Sequence, residues 1–321
     1  MNKTKLIFVL LTSLALGACS NSDDDELTSQ QPKFYPMTIE VTENPMVQDG
    51  EGGGTTRAAI TTNSSLDKFY MSYVYGSAAS SEPIKATKDG DGKWKSDGSW
   101  PTSDEVTWYA YTYGTFIQTE DANKLPYINF TVEEAAANQH DLLVATASGT
   151  YNGTGGKLSF TFDHACSALR FYVKKSTNIN DMTLTVSSIV LKNVIKDGKY
   201  YYGTQSWTLG TTSTDYTLLS SSQTSQTLAS DSYVLLNGSE DDSYLFLIPQ
   251  TLTAWDTTGD LSNTYLEVTC TITNTSNSTL VYSGKAYIPF AATFEKGTKY
   301  DVKINIGKNS LYKGLNNKII S

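Results

Sequence analysis

Short segments of alternating apolar and polar residues, separated by turns, constrain the fold of this chain more than any other feature. One of them, residues 66–76, has apolar side chains at every second position: Phe69, Met71, Tyr73 and Tyr75. Alternation of this kind is typical of a strand with one buried face. Similar segments recur along the chain at short spacing, and long helical patterns are absent. We therefore predict an all-β fold built of β-sandwiches, with little helix.

The length of the chain favours more than one hydrophobic core. At 321 residues the chain exceeds the size of a typical single core. We predict two β-sandwich domains in tandem, with residues 58–156 in the first and residues 157–307 in the second. The segment at the boundary, residues 157–174, changes the phase of its apolar positions, which predicts a bulge or kink near residues 164–167.

Several short sequences predict local structure. Residues 88–92 and 196–199 each predict a hairpin turn, because Asp-Gly suits the backbone of tight turns. The acidic residues of 88–92 do not have the spacing of an EF-hand, so we predict no metal site there. Thr131 and Glu134 are spaced as a capping box, which predicts a short helix that begins there. Residues 141–146 are almost continuously apolar, which predicts a central strand.

The first residues have the pattern of an exported lipoprotein. Lys3 and Lys5 precede an apolar stretch, residues 6–16, that is too short to span a bilayer. The stretch ends in Leu-Gly-Ala-Cys, which resembles the lipobox at which bacterial lipoproteins are cleaved and lipidated. We predict a signal peptide over residues 1–18 and a lipid on Cys19, which would anchor the protein on the surface of the cell outer membrane.

Residues 19–57 are predicted to contain an acidic tether and a strand that proteolysis can remove. The strand has four apolar residues on a shared face: Tyr35, Met37, Ile39 and Val41. A glycine-rich segment follows and leads to Arg57 and Ala58. An arginine in an exposed loop is a good substrate for a trypsin-like protease. Cutting after Arg57 would detach the strand and leave a groove with unpaired backbone groups, which can accept a strand from another chain.

The last residues, 308–321, carry apolar side chains scattered among polar ones: Leu311, Leu315, Ile319 and Ile320. Two interpretations stay open. The segment is a frayed tail, as is common near chain termini, or it is a donor strand that fills the groove of another subunit.

The sequence gives little support to several classes of function. A net charge of −9 argues against nucleic-acid binding, which requires a basic surface. The common hydrolase motifs do not occur, so we predict that the protein is not an enzyme and holds no metal or cofactor. The two histidines, His140 and His164, are more typical of structural hydrogen-bonding residues than of catalytic bases. Cys166 and Cys270 lie in predicted strands, as buried free thiols or as a disulfide pair.

Taken together, the motifs of the chain resemble those of the fimbrillin family, the lipoprotein-derived subunits of type V pili. Besides the lipobox and the Thr56-Arg57-Ala58 site, the matching features are Trp100-Pro101, Trp108-Tyr109-Ala110-Tyr111, Asp141–Ala145, the alternating pattern Phe160–Phe171 and Lys296–Tyr300. The resemblance implies two transthyretin-like β-sandwich domains, transport as a lipoprotein, proteolysis at an arginine and strand exchange between subunits.

We predict that the protein is a structural subunit of a cell-surface fimbria and supports adhesion. Its predicted partners are other copies of the chain or related pilus subunits, a trypsin-like protease, the outer membrane through its lipid, and a host or glycan ligand. The alternative is a glycan-binding surface lipoprotein that does not polymerise. That alternative needs exposed aromatic side chains aligned on one sheet face, which many tyrosines and five tryptophans could supply: Trp94, Trp100, Trp108, Trp207 and Trp255.

Overall fold

β-Strands dominate the computed structural model of the protein. The structure describes residues 37–48, 66–75, 78–79, 82–118, 126–153, 155–237, 244–258, 261–313 and 318–320. Within these ranges the only helical elements are two 3₁₀ turns, Ala136–Asn138 and Thr177–Ile179. No helix in the described part of the chain has the length and apolar character needed to cross a membrane. The all-β prediction is confirmed.

The strands of the described residues are numbered here in chain order. The first twelve are β1 (Met37–Glu43), β2 (Val47–Gln48), β3 (Lys68–Tyr75), β4 (Ala78–Ala79), β5 (Ile84–Lys88), β6 (Trp94–Ser96), β7 (Val106–Tyr111), β8 (Thr115–Ile117), β9 (Tyr127–Thr131), β10 (Leu143–Gly149), β11 (Gly156–His164) and β12 (Ser167–Lys175). The others are β13 (Met182–Ile195), β14 (Asp197–Tyr201), β15 (Ser206–Leu209), β16 (Ser213–Leu219), β17 (Gln226–Thr227), β18 (Val234–Leu235), β19 (Leu245–Leu247), β20 (Gln250–Leu252), β21 (Tyr265–Asn274), β22 (Leu280–Pro289), β23 (Ala292–Phe294) and β24 (Thr298–Ile306).

These strands pair into five sheets. The large sheet has the order β1-β11-β10-β7-β3-β5-β6, with β4 paired to β3. A second sheet has the order β18-β12-β24-β2, with β19 also on β12, and a third has the order β16-β13-β21-β22, with β17 on β13. A four-stranded sheet, β15-β14-β9-β8, and the pair β20-β23 complete the set within the described ranges.

The middle strands of the large sheet are buried on both faces. In β7, Trp108 joins one hydrophobic cluster, whereas Tyr111 joins another. The side chains of β10 also alternate between these clusters, with Leu143 in the same cluster as Trp108 and Val144 in the same cluster as Tyr111. A strand covered on both faces has no polar face, which explains why residues 141–146 are nearly all apolar. The central position predicted for that segment is confirmed by the pairing of β10 between β7 and β11.

The large sheet curls around one of these clusters, which we call the first core. Phe69 lies in it and makes ring contacts with Phe160 and Phe162 at centroid distances of 5.5 and 5.1 Å. β1 and β6 stand at opposite ends of the strand order, yet they lie against each other. β1 is therefore the strand that closes the sheet around the first core.

The other cluster, the second core, lies mainly between the second and third sheets. Phe171 on β12 and Val268 on β21 are fully buried in it. Alternate residues of both strands point into this core, as expected for two sheets packed face to face. Cys166 and Cys270 are both buried in the second core and are free thiols, so the disulfide alternative is wrong.

The kink predicted near residues 164–167 is confirmed as a change of sheet. β11 belongs to the large sheet and β12 to the second, and the buried pair Ala165 and Cys166 lies between them. Trp207 Nε1 donates to Ala165 O at 2.7 Å, which fixes the bend. The chain thus passes from one sheet to the other nine residues after the predicted domain boundary at 156/157. The four-stranded sheet also joins strands from both sides of that boundary, and the described residues group as one compact unit, so the two-domain division stays a prediction.

Two Asp-Gly sequences behave differently in the structure. Residues 88–92 form the predicted turn between β5 and β6, and Asp89 Oδ1 accepts hydrogen bonds from Asp91 N and Lys93 N at 3.0 and 2.9 Å. The turn predicted at 196–199 is wrong, because Asp197 begins β14, which pairs with β9 and β15. Pairing with two neighbouring strands overrides the local turn preference of that dipeptide.

The helix predicted from Thr131 is also wrong. Thr131 ends β9, and Val132 extends the backbone pairing by donating its N–H to Lys196 O at 2.8 Å. Glu134 does not cap a helix but pairs with Lys196 Nζ at 2.8 Å. Only the short 3₁₀ turn at Ala136–Asn138 follows. Tertiary pairing therefore outweighs the capping-box pattern here.

Candidate functional site

Residues 37–48 run along the edges of two sheets, and we call them the capping segment. β1 pairs in parallel with β11, from Met37 opposite Gly156 to Glu43 opposite Phe162. β2 pairs in parallel with β24 through Val47 and Gln48. The segment therefore completes the large sheet with its first half and the second sheet with its second half.

The alternating residues of β1 face the first core. Ile39 is 6% exposed, and Met37 and Val41 are half-buried and pack on the same cluster. Thr38 and Glu40 lie on the opposite, exposed face, where Glu40 pairs with Lys157 Nζ at 2.7 Å. The structure thus places β1 as a packed edge strand, with its apolar side chains against the interior.

The link between β1 and β2, residues 44–46, is hydrogen-bonded to the body and partly buried. Asn44 N donates to Phe162 O at 2.8 Å, and its side-chain Nδ2 donates to Asp163 Oδ1 at 2.7 Å. Met46 is 2% exposed and lies in the second core. The sequence prediction did not include Met46 or β2, because a lone methionine after a proline has no alternating pattern around it. The capping segment therefore contributes a side chain to each of the two cores.

Glu43 brings a carboxylate to a buried histidine. Its Oε1 lies 3.3 Å from Nε2 of His164, the last residue of β11. The other ring nitrogen, Nδ1, is hydrogen-bonded to Asp141 Oδ2, and both His164 and Asp141 are almost fully buried. A neutral imidazole has only one N–H, so with both carboxyl groups ionised the two contacts are both satisfied only when the ring is protonated. The site is thus a cation between two carboxylates, one of which comes from the capping segment.

The electrostatics of His164 agree with this geometry. Burial lowers the pKa of His164, but the charges and hydrogen bonds of Asp141 and Glu43 outweigh burial and raise that pKa to about 9. Burial also raises the pKa of Asp141, which alone would favour a neutral carboxyl group. We place the proton on the imidazole, because each of its two nitrogens faces a carboxylate oxygen.

The C-terminal tail is packed on its own chain. Leu311 and Ile320 are buried in the second core, and Ile319 packs against it. Tyr312 exchanges backbone hydrogen bonds of 2.8 and 3.0 Å with Tyr287 of β22. Ile319 N also donates to Leu311 O at 2.9 Å, so the tail folds back on itself. A frayed tail is therefore the wrong interpretation for the described part of this segment, and whether the tail donates a strand stays open.

Five predicted site residues lie outside the described ranges: Cys19, Tyr35, Arg57, Ala58 and Leu315. The predictions for lipidation, for the cleavage site and for these members of the strand and tail therefore stay predictions. His140, the other histidine, is exposed and stacks on Tyr113 at a centroid distance of 4.1 Å. Among the described residues, no group of three or more His, Cys, Asp or Glu side chains is placed so that it could hold a metal ion.

The tryptophans do not form an exposed platform. Trp100, Trp108 and Trp255 are at most 2% exposed. Trp207 faces inward and donates to a buried backbone oxygen, and Trp94 packs on the ring of Phe69 at 5.0 Å. The alignment of exposed tryptophans that a glycan platform would need is therefore absent.

The outer face of the four-stranded sheet carries a different aromatic arrangement, which we call the tyrosine face. Tyr127 and Tyr201 are directly opposite each other on β9 and β14, with ring centroids 5.2 Å apart. Lys199 Nζ lies 5.0 Å from the centre of the Tyr127 ring, and Asn129 and Thr208 flank Lys199 on the neighbouring strands. Tyr201, Lys199, Asn129 and Thr208 line a concavity of about 470 Å³.

The comparison with known proteins gives a consistent result. Residues 56–319 match the sequence pattern of fimbrillin-like proteins. Similar folds include a fimbrial protein from Bacteroides vulgatus, with a TM-score of 0.54 and 17% identity over 84% of this chain and 95% of that one. A proposed cell adhesion protein from Bacteroides eggerthii has a TM-score of 0.51 and 14% identity over 91% of this chain and 92% of that one.

At these identities the structural similarity shows the fold alone. No curated protein sequence is significantly similar to the chain. The family pattern, however, covers most of the sequence. The chain therefore belongs to the fimbrillin-like family, and this membership supports a role as a subunit of a cell-surface fimbria.

Proposed function

We propose that the protein is exported as a lipoprotein lipidated at Cys19, cut after Arg57 and polymerised by strand exchange into an adhesive fimbria. In this proposal the lipid holds the precursor on the outer membrane, a trypsin-like protease makes the cut, and a strand from another subunit replaces the capping segment. The protein is a building block and not an enzyme. The observation that carries the proposal is that residues 37–48 lie on the N-terminal side of Arg57 and complete two sheets of the body.

A cut after Arg57 leaves the capping segment bound by non-covalent contacts alone. Burying the Ile39 and Met46 side chains is worth about 1.5–3 kcal/mol each, and the parallel ladders with β11 and β24 add to this. Ordering the free segment opposes these gains. The segment can therefore leave once its covalent link to the body is broken.

The groove that remains would require a replacement strand. Without β1, the backbone edge of β11 and one side of the first core are open to solvent, and such edges readily pair with another chain. The tail residues Leu311, Leu315, Ile319 and Ile320 are the candidate donor within this chain. Leu311 and Ile320 would first have to leave the second core, so donation requires the tail to open.

The test is cleavage of the purified full chain, with polymerisation followed by size-exclusion chromatography and electron microscopy. The wild type should form filaments after treatment with an arginine-specific protease, whereas Arg57→Ala should stay monomeric. Arg57→Lys is the matched control: it keeps the positive charge, and it should stay monomeric with the arginine-specific protease but form filaments after trypsin, which cuts after lysine. Cut protein that stays monomeric at high concentration would contradict the proposal.

Glycan binding is a second candidate, favoured by the tyrosine face. Two neighbouring rings beside amide, ammonium and hydroxyl groups are a typical surface for stacking and hydrogen bonding to sugars. The test is native electrophoresis in gels that contain soluble β-glucan, galactomannan or arabinoxylan. Tyr201→Ala should abolish any retardation, whereas Tyr75→Ala, an exposed tyrosine on β3, should not. Equal migration of all three proteins in every gel would exclude this function for the tyrosine face.

A further inference from the structure

Glu43 departs from the pattern of the strand to which it belongs. Met37, Ile39, Val41 and Glu43 occupy every second position of β1, and the first three pack on the first core. An apolar side chain at position 43 would continue that pattern. The chain places a carboxylate there instead, and Glu43 is directed at the ring of His164.

While a strand fills the groove, as the capping segment does, His164 cannot obtain a partner from solvent. The residue is 3% exposed, and its Nδ1 is already bonded to Asp141. When a strand without a carboxylate takes the place of the capping segment, Nε2 is buried again without the only side-chain acceptor that it has among the described residues, Glu43. A buried charged donor without its partner is strongly unfavourable. A carboxylate on the incoming strand restores both the hydrogen bond and the charge pairing.

We infer that the groove left by the capping segment selects an incoming strand that carries a carboxylate side chain at the position of Glu43. This inference rests on the strand exchange proposed above and specifies the chemistry of the partner. The preferred partner strand has apolar residues at the three positions of Met37, Ile39 and Val41, followed two residues later by Asp or Glu. It runs parallel to β11, as β1 does.

The tail of this chain does not fit that description. Residues 308–321 contain no Asp or Glu side chain. A tail of this sequence in the groove of another copy would leave His164 without a carboxylate side chain opposite Nε2. The groove therefore binds the acidic donor strand of a related subunit more tightly than the tail of a second copy, although such a tail can still pair with β11 and fill the apolar positions when copies of this chain alone are concentrated.

The experiment compares three synthetic biotinylated peptides of residues 37–48 as ligands for the cut full chain. One has the native sequence, one carries Glu43→Gln and one carries Glu40→Gln. Glu40 is the matched control, because its carboxylate lies on the exposed face and pairs only with exposed Lys157. An arginine-specific protease makes the cut, since the other arginine, Arg170, lies within β12 in a two-bond pair with Asp301.

We expect the native and Glu40→Gln peptides to be captured equally, and the Glu43→Gln peptide at least about tenfold less, as for loss of a hydrogen bond to a charged group. In a His164→Gln chain the ratio between the native and Glu43→Gln peptides should fall to about one. If that variant does not fold, the three-peptide comparison on the wild type still decides. Equal capture of all three peptides overturns the carboxylate requirement but leaves strand exchange intact. Capture of none of them overturns strand exchange itself.

Discussion

Ile39→Ala tests most directly whether β1 holds the first core closed. Ile39 is 6% exposed, lies opposite Leu158 in the parallel register and belongs to the first core. Replacing a buried isoleucine by alanine costs about 2–5 kcal/mol. We expect the lower part of this range, about 2–3 kcal/mol, because an edge strand can shift to fill part of the cavity.

Amide hydrogen exchange is the appropriate assay, because the capping segment can open without unfolding of the whole chain. A loss of about 2–3 kcal/mol corresponds to exchange about 30- to 140-fold faster, since each 1.4 kcal/mol is a factor of ten. The acceleration should be confined to the amides of β1 and of its partner β11. Amides in the β13–β21 pair, which belong to another sheet, should exchange as in the wild type.

Thr42→Ala is the matched control on the same strand. Its hydroxyl lies on the exposed face, 3.0 Å from Thr161 Oγ1, so the substitution removes a surface contact and no core packing. Surface changes of this kind stay within about 0.5 kcal/mol, or less than about threefold in exchange. Equal exchange in the two variants would refute the packing of β1 on the first core. Acceleration throughout the chain in Ile39→Ala would refute local opening of the capping segment.

Three further predictions concern other parts of the molecule. The pKa of His164 is raised to about 9, so its protonated ring stabilises the fold fully below the ordinary value near 6.5 and loses this effect as the pH rises through about 9. The free energy of unfolding in urea should therefore fall over this pH interval, and it should fall less in His164→Gln. Gly156→Ala should destabilise the protein by about 1–3 kcal/mol in urea unfolding, because the added Cβ would lie 2.1 Å from Nε1 of Trp100. Burial raises the pKa of the Cys270 thiol to about 11 and also raises the pKa of the Cys166 thiol, so a Cys19→Ser protein should react with a thiol reagent only after denaturation.

The sequence predicts the strands whose burial leaves a local pattern. Alternation in residues 35–41 predicts β1, and the described part of that strand alternates as expected. The phase change near residue 164 predicts a bulge or kink, because inward-facing residues must switch faces there, and in the structure the chain changes sheet at this point. The continuous apolar run at 141–146 predicts a strand covered on both faces, for the same reason of local periodicity.

What the sequence does not reveal depends on contacts between distant residues. Glu43 and His164 are far apart along the chain, and no local spacing links a glutamate at the end of one strand to a histidine at the end of another. The Asp-Gly dipeptide at 197–198 has a turn preference, but pairing with β9 and β15 decides its conformation. Met46 likewise becomes a core residue only because two sheet edges lie within reach of one segment.

The two halves of the capping segment both run parallel to their partners, β1 with β11 and β2 with β24. A strand that takes the same place must therefore enter beside Gly156 and leave beside Lys299. Subunits that each donate to the next one and receive from the one before make a head-to-tail contact. Repeated head-to-tail contacts of this kind produce an open fibre. Such a fibre has two chemically different ends, one presenting an empty groove and the other an unused donor strand, so a cap for one end would not fit the other.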